Sequence, residues 1–171
     1  MRKVILISLL VLFVSPVFAE EPLSFRDIKI GMTMDEVQSK LQWYDCPQGE
    51  KYCHSNATIK GVDVNATYNF GGKNTLEMFY FSFSPDDYSI LKAALIEKYG
   101  KTAKIIKRPV QNRMGASFQG EVVTWTFKSG DSIFITKYGS TLGEGIIMFE
   151  SKEYKKAQAE KEKKDKQSPG F

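Results

Sequence analysis

The chain predicts an α+β fold: one antiparallel sheet with two helices packed on one face, laid down as tandem helix–hairpin units. Three observations carry this. Residues 62–70 alternate strictly between apolar and polar side chains, the mark of a strand with one wet face. Two helix starts, at Thr33 and Ser84, each lead into such strands. Short turn-forming clusters separate the strands by the few residues a hairpin needs.

Thr33-Met34-Asp35-Glu36 has the capping-box pattern, in which Thr33 accepts from the backbone three residues on and Glu36 reaches back. Met34, Val37 and Leu41 then share one helical face. After a loop holding Cys46 and Cys53, Val62, Val64, Ala66, Tyr68 and Phe70 form the apolar side of a strand. Gly71-Gly72-Lys73-Asn74 turns the chain, and Leu76 to Phe83 returns as its partner.

The second helix is the better marked. Ser84 suits the N-cap, Pro85 the first helical position, and Asp86 and Asp87 the positive end of the helix dipole. Tyr88, Leu91, Leu95 and Tyr99 make its apolar stripe, and Gly100 ends it. A loop with Pro109 and Gly115 leads into a hairpin of Val122 to Lys128 with Ser132 to Tyr138, and Ile146 to Glu150 adds a last strand.

Residues 1–19 read as a secretory signal peptide. Arg2 and Lys3 precede an apolar run from Val4 to Val14, and Val17-Phe18-Ala19 suits cleavage after Ala19. The run is about 11 residues, roughly half a membrane span. With no cysteine near the junction, the expectation is a periplasmic protein that is not a lipoprotein. Residues 20–151 form the single domain, and 152–171 a charged tail, either helical or disordered, with little to bury.

The formal charge of +4 comes from the ends. Taking Arg2, Lys3 and the tail's seven lysines and four acids from the 24 bases and 20 acids leaves a body of 15 and 16. A neutral body lacks the footprint of a nucleic-acid-binding protein. The tail lysines point at most to weak contact with anionic membrane surfaces, since acids are interspersed among them. Oligomeric state stays open.

Cys46 and Cys53 are the only cysteines, and in an oxidising compartment such a pair forms a disulfide. The bridge reads as a staple on a loop or as a rigid loop for a partner. A Cys-x-x-Cys redox motif is absent. The single histidine, His54, leaves no material for a His-based metal cluster or a Ser-His-Asp arrangement, so no metal and no cofactor is expected. Asp35-Glu36 and Asp86-Asp87 sit where helix capping explains them. The glycine-rich stretch from Gly139 to Gly145 lacks the lysine and spacing of a phosphate loop.

Ile30-Gly31-Met32-Thr33-x-x-Glu36-Val37 with Leu41, a hairpin, a helix ending Lys98-Tyr99-Gly100-Lys101, Val123-Thr124-Trp125 and a final hairpin resemble small exported bacterial proteins. These carry the helix–hairpin repeat of the SmpA/OmlA outer-membrane-assembly lipoproteins and of the beta-lactamase-inhibitor proteins. The resemblance spans about Phe25 to Glu150 and implies the fold, together with action by binding proteins. The lipoprotein cysteine of the assembly factors is missing here.

On the strand ending at Phe83, one side carries Phe79, Phe81 and Phe83 and the other Leu76, Met78 and Tyr80. The partner strand is polar on one side, so one aromatic set lies on the face the helices leave open. The expectation is that Phe79, Phe81 and Phe83, with Trp125, bind a protein there. The reading is thus of a non-enzymatic periplasmic binding module, of the inhibitor or envelope-assembly kind. The alternative is an envelope hydrolase or a small-ligand-binding protein with an unidentified site.

Overall fold

The computed structural model describes residues 23–41, 44–101 and 103–167; the expected signal peptide and its cleavage point lie outside them. The fold is α+β, with a small antiparallel strand pair, a seven-stranded antiparallel sheet and three helices. In chain order these are β1 (Ser24–Phe25), β2 (Ile28–Lys29), α1 (Met34–Gln38), β3 (Tyr52–Ile59), β4 (Val62–Phe70) and β5 (Leu76–Phe83). A 3₁₀ turn, Pro85–Asp87, leads into α2 (Tyr88–Tyr99). There follow β6 (Lys104–Gln111), β7 (Ser117–Thr126), β8 (Ser132–Thr136), β9 (Gly145–Glu150) and α3 (Lys152–Gln167).

The sheet order is β3-β4-β5-β9-β8-β7-β6. It consists of two meanders, β3-β4-β5 and β6-β7-β8-β9, joined where β5 pairs with β9. The helix starts form as their sequences dictate. Thr33 accepts from the Glu36 N–H while the Glu36 carboxylate accepts the Thr33 N–H at 2.8 Å, holding the Glu36 carboxyl below its ordinary pKa. Ser84 accepts from the Asp86 N–H, and Pro85 opens the turn.

Alternation along each strand sends one side chain set inward. Tyr68 and Ala66 of β4 stand opposite Phe79 and Phe81 of β5, which stand opposite Phe149 and Ile147 of β9. Ile133 and Ile135 of β8 and Trp125 and Val123 of β7 continue the layer. Leu91 and Leu95 of α2 and Val37 of α1 join the same buried cluster. Phe79 stacks on Phe149 with centroids 4.4 Å apart, and Phe25 of β1 caps Phe81 at 4.6 Å. Trp125 donates its indole N–H to the Gly100 carbonyl at 2.8 Å, fixing the end of α2.

The β1–β2 pair was not expected, and two strands of the large sheet also depart from the sequence reading. β3 was not expected, because its inward positions are Cys53, Ser55 and Ala57, too small to register as an apolar run. β6 occupies the expected loop around Pro109. It is an edge strand exposed on both sides, so it has no alternation to read, and an edge tolerates proline. β7 also starts earlier than expected, at Ser117. Only Val122–Thr126 of β7 pair with β8, so residues 117–121 and 107–111 form a two-stranded arm. At its tip Asn112 accepts the N–H groups of Met114 and Ala116, and Met114 is 90% exposed.

The charged tail forms α3. Its first turn is anchored, with Ser151 accepting the Tyr154 N–H and Asp131 accepting the Lys152 N–H. From residue 156 to 166 every side chain is exposed.

Candidate recognition face

The four aromatic residues expected on the open face are in the core instead: Phe79, Phe81, Phe83 and Trp125 are at most 5% exposed. The cause is one residue. Phe70 pairs with Leu76, but the next pair is Asn69 with Met78, so Glu77 is an extra residue, a β-bulge. A regular hairpin would set Tyr68 against Met78 and leave the phenylalanines beside Thr67 and Asn65. The bulge shifts the register by one and exchanges the faces of β5. The Glu77 carboxylate lies over Gly71, where a Cβ would have to push it aside. The Glu77 carbonyl accepts the Ser151 N–H at 2.9 Å, tying the bulge to the start of α3.

The face without the buried aromatic layer is therefore built from the other set, and it divides in two. Across β3 and β4 it is polar: His54, Asn56, Asn65, Thr67 and Asn69. His54 is exposed there and shares a 3.0 Å hydrogen bond with the Thr67 hydroxyl. Across β5, β9, β8 and β7 it turns apolar. Tyr80 stands opposite Met148, Met148 opposite Phe134, Ile146 opposite Thr136, and Thr136 opposite Val122. Tyr80, Met148, Phe134, Ile146 and Val122 are all half-buried. The band runs on into the arm, where Phe118 packs edge-on to Tyr138 and is 39% exposed, and Ile106 is 44% exposed.

Charge frames the band unevenly. Lys104 and Arg108 of β6 share its side of the sheet and are exposed. At the opposite end lies Glu150, whose carboxyl burial pushes above its ordinary pKa even though it accepts from the Ser132 hydroxyl. Tyr154 of α3 closes that end, its hydroxyl pKa raised by burial.

The disulfide joins Cys46 to Cys53, as expected. Cys53 is fully buried, and beside it Asp45 and His54 exchange both backbone hydrogen bonds, at 2.8 and 2.7 Å. The bridge thus pins the α1–β3 loop along the outer edge of β3, covering part of that edge.

The most organised charge cluster is on the helix side. Glu121 of β7 accepts from the Tyr88 hydroxyl at 2.7 Å and from the Lys92 ammonium. These two donors hold the Glu121 carboxyl below its ordinary pKa, while burial and the carboxylate raise that of Tyr88. It is a clamp from α2 to the sheet. Among the described residues, no group of three or more His, Cys, Asp or Glu side chains is placed to hold a metal ion.

Comparison with protein-family models, curated proteins and solved structures gives no match to this chain. The band residues Tyr80, Met148, Phe134 and Ile146 escaped the sequence reading because the face of β5 depends on the bulge. The strict alternation of β4 was the available signal, but it fixes the face of β5 only once the register is known.

Proposed function

We propose that this chain is a non-enzymatic protein-binding module of the inhibitor or envelope-assembly type, exported to the periplasm with cleavage after Ala19. It acts through the face of the sheet opposite α2. The observation that carries this reading is the half-exposed apolar band from Tyr80 through Met148 and Phe134 to Phe118, on the face away from α2, with Tyr154 of α3 at its Tyr80 end. Contiguous apolar surface of this kind is costly to leave in water and marks recognition sites. With Lys104 and Arg108 beside it, the fitting partner is a protein with an apolar patch and an acidic rim.

The tandem helix–hairpin reading and the likeness to the SmpA/OmlA and beta-lactamase-inhibitor domains belong to the same proposal. Their support is the division of the sheet into two meanders, one after α1 and one after α2. The Lys-rich α3 adds, at most, a loose contact with anionic membrane surfaces.

The test compares captures from envelope extract by residues 20–171, by the same chain stopping at Ser151, and by a folded Phe134→Ser, Met148→Ser double variant. A protein held by the first two and lost by the third supports the proposal. The same proteins held by all three would remove the band from it.

A further inference from the structure

A second site lies on the helix side of the sheet, independent of the recognition band. Between the β1–β2 pair and α2 runs a groove of about 570 Å³, within the ordinary size range of small-ligand pockets. Its accessible apolar lining comes from the half-buried Phe25, Ile59, Ala94 and Tyr99, with the buried Leu95, Ile147 and Phe149 packed beneath them. Ala94 keeps the helix wall low. At one end the Tyr99 hydroxyl and the Lys98 ammonium both donate to the Ser24 carbonyl, at 3.1 and 3.4 Å, joining the strand pair to the end of α2.

The mouth is cationic. Arg26, Lys60 and Lys98 line it with one acid, Glu97, which pairs with Lys60 at 3.1 Å. Both partners of that pair are more than half exposed, so the pair is solvated and weak and gives way easily to another anion. Arg26 reaches the Thr58 carbonyl at 2.6 Å with one nitrogen, leaving the rest of its guanidinium to donate elsewhere.

The backbone supplies a separate argument. Arg26 and Lys60 have φ of 52° and 51°, the left-handed region where glycine or asparagine is the easy choice. Among the described residues only one other non-glycine residue, Asn74, has positive φ. Both are hairpin-turn positions, Arg26 between β1 and β2 and Lys60 between β3 and β4, and the two turns place a long cation on either side of the one groove.

We propose that this groove binds a free single-chain anionic amphiphile, of the fatty-acid class, with its tail along Phe25, Ile59 and Ala94 and its carboxylate between Arg26 and Lys60. The half-exposed apolar lining fits an alkyl chain, and the charge of the mouth fits the head group. Each methylene buried tightens binding about fourfold.

Calorimetric titration of residues 20–171 with sodium laurate, below its micelle concentration, is the test. The expected result is saturable one-to-one binding. Octanoate should bind on the order of a hundredfold more weakly, being four methylenes shorter, and dodecyltrimethylammonium at least tenfold more weakly. Arg26→Gly, Lys60→Gly should keep or raise thermal stability, because glycine relieves both left-handed positions, yet lose at least tenfold in laurate affinity. Ala94→Phe should fill the groove and abolish binding in a protein that still folds. No laurate binding, equal affinity for the cationic analogue, or unchanged binding in Ala94→Phe would each overturn the proposal. So would binding to anionic vesicles with none to free laurate.

Discussion

Neighbouring residues on β5 should behave oppositely when truncated, because the bulge at Glu77 decides which of them is core. Phe81 is fully buried, with the rings of Phe25, Phe79 and Phe149 centred 4.6, 5.8 and 5.9 Å away. Phe81→Ala removes a large apolar side chain and leaves a cavity that these rings cannot fill without moving, a cost of about 3–5 kcal/mol. For a domain whose whole stability is of order 5–15 kcal/mol, that is a large part of it, and melting should fall by roughly 10–15 °C. Tyr80 lies next along the chain but half-buried on the opposite face. Tyr80→Ser should cost about 1 kcal/mol and a few degrees. Urea and thermal denaturation followed by circular dichroism measure both. If Tyr80→Ser cost as much as Phe81→Ala, or more, the register set by the bulge would be refuted and the phenylalanines would return to the open face.

Replacing both Cys46 and Cys53 by serine should lower stability by about 2.5 kcal/mol, the chain-entropy value for a loop of this length. Intact mass before and after reduction should differ by two hydrogens. Glu121→Gln keeps an acceptor for Tyr88 but loses the charge facing Lys92, so at pH 7 it should cost about 1 kcal/mol. The folded-state pKa of Glu121 lies below the ordinary 4.5. Its contribution is therefore complete above that pH and lost as pH falls through the folded value, so the two proteins should converge in acid denaturation. Glu150 has the opposite sign: burial raises its pKa, so ionisation at pH 7 works against folding. Glu150→Gln should melt slightly higher than wild type at pH 7, with the advantage gone below about pH 4. Gly145→Ala should cost about 1–3 kcal/mol, since its Cβ would meet the Phe83 ring 2.4 Å away.

What the sequence disclosed follows from how locally each feature is encoded. The Thr33–Glu36 capping box depends on residues within one turn and forms as read, whereas Ser84 and Pro85 start a 3₁₀ turn that leads into α2 at Tyr88 rather than α2 itself. The alternation of β4 is visible because one side is packed and the other wet along its whole length. β3 and β6 lack that contrast. The first buries small residues, and the second, as an edge, buries almost nothing. The disulfide was plain from the cysteine pair alone. The candidate face was hidden for a different reason: its composition was right, but its side of the sheet turned on one inserted residue, Glu77, whose backbone is tied to Ser151 far along the chain. The groove draws on four separated segments, so no stretch of sequence announces it.

The most direct test of recognition through the face opposite α2 is site-specific photo-crosslinking in cells that export the protein. Benzoylphenylalanine is placed at Phe134, within the apolar band, or at Ile90, which is 49% exposed on α2. The account predicts a discrete protein adduct from position 134, absent from position 90 and lost when Met148 is also changed to serine. Adducts of equal yield from both positions, or an adduct from position 90 alone, would contradict it.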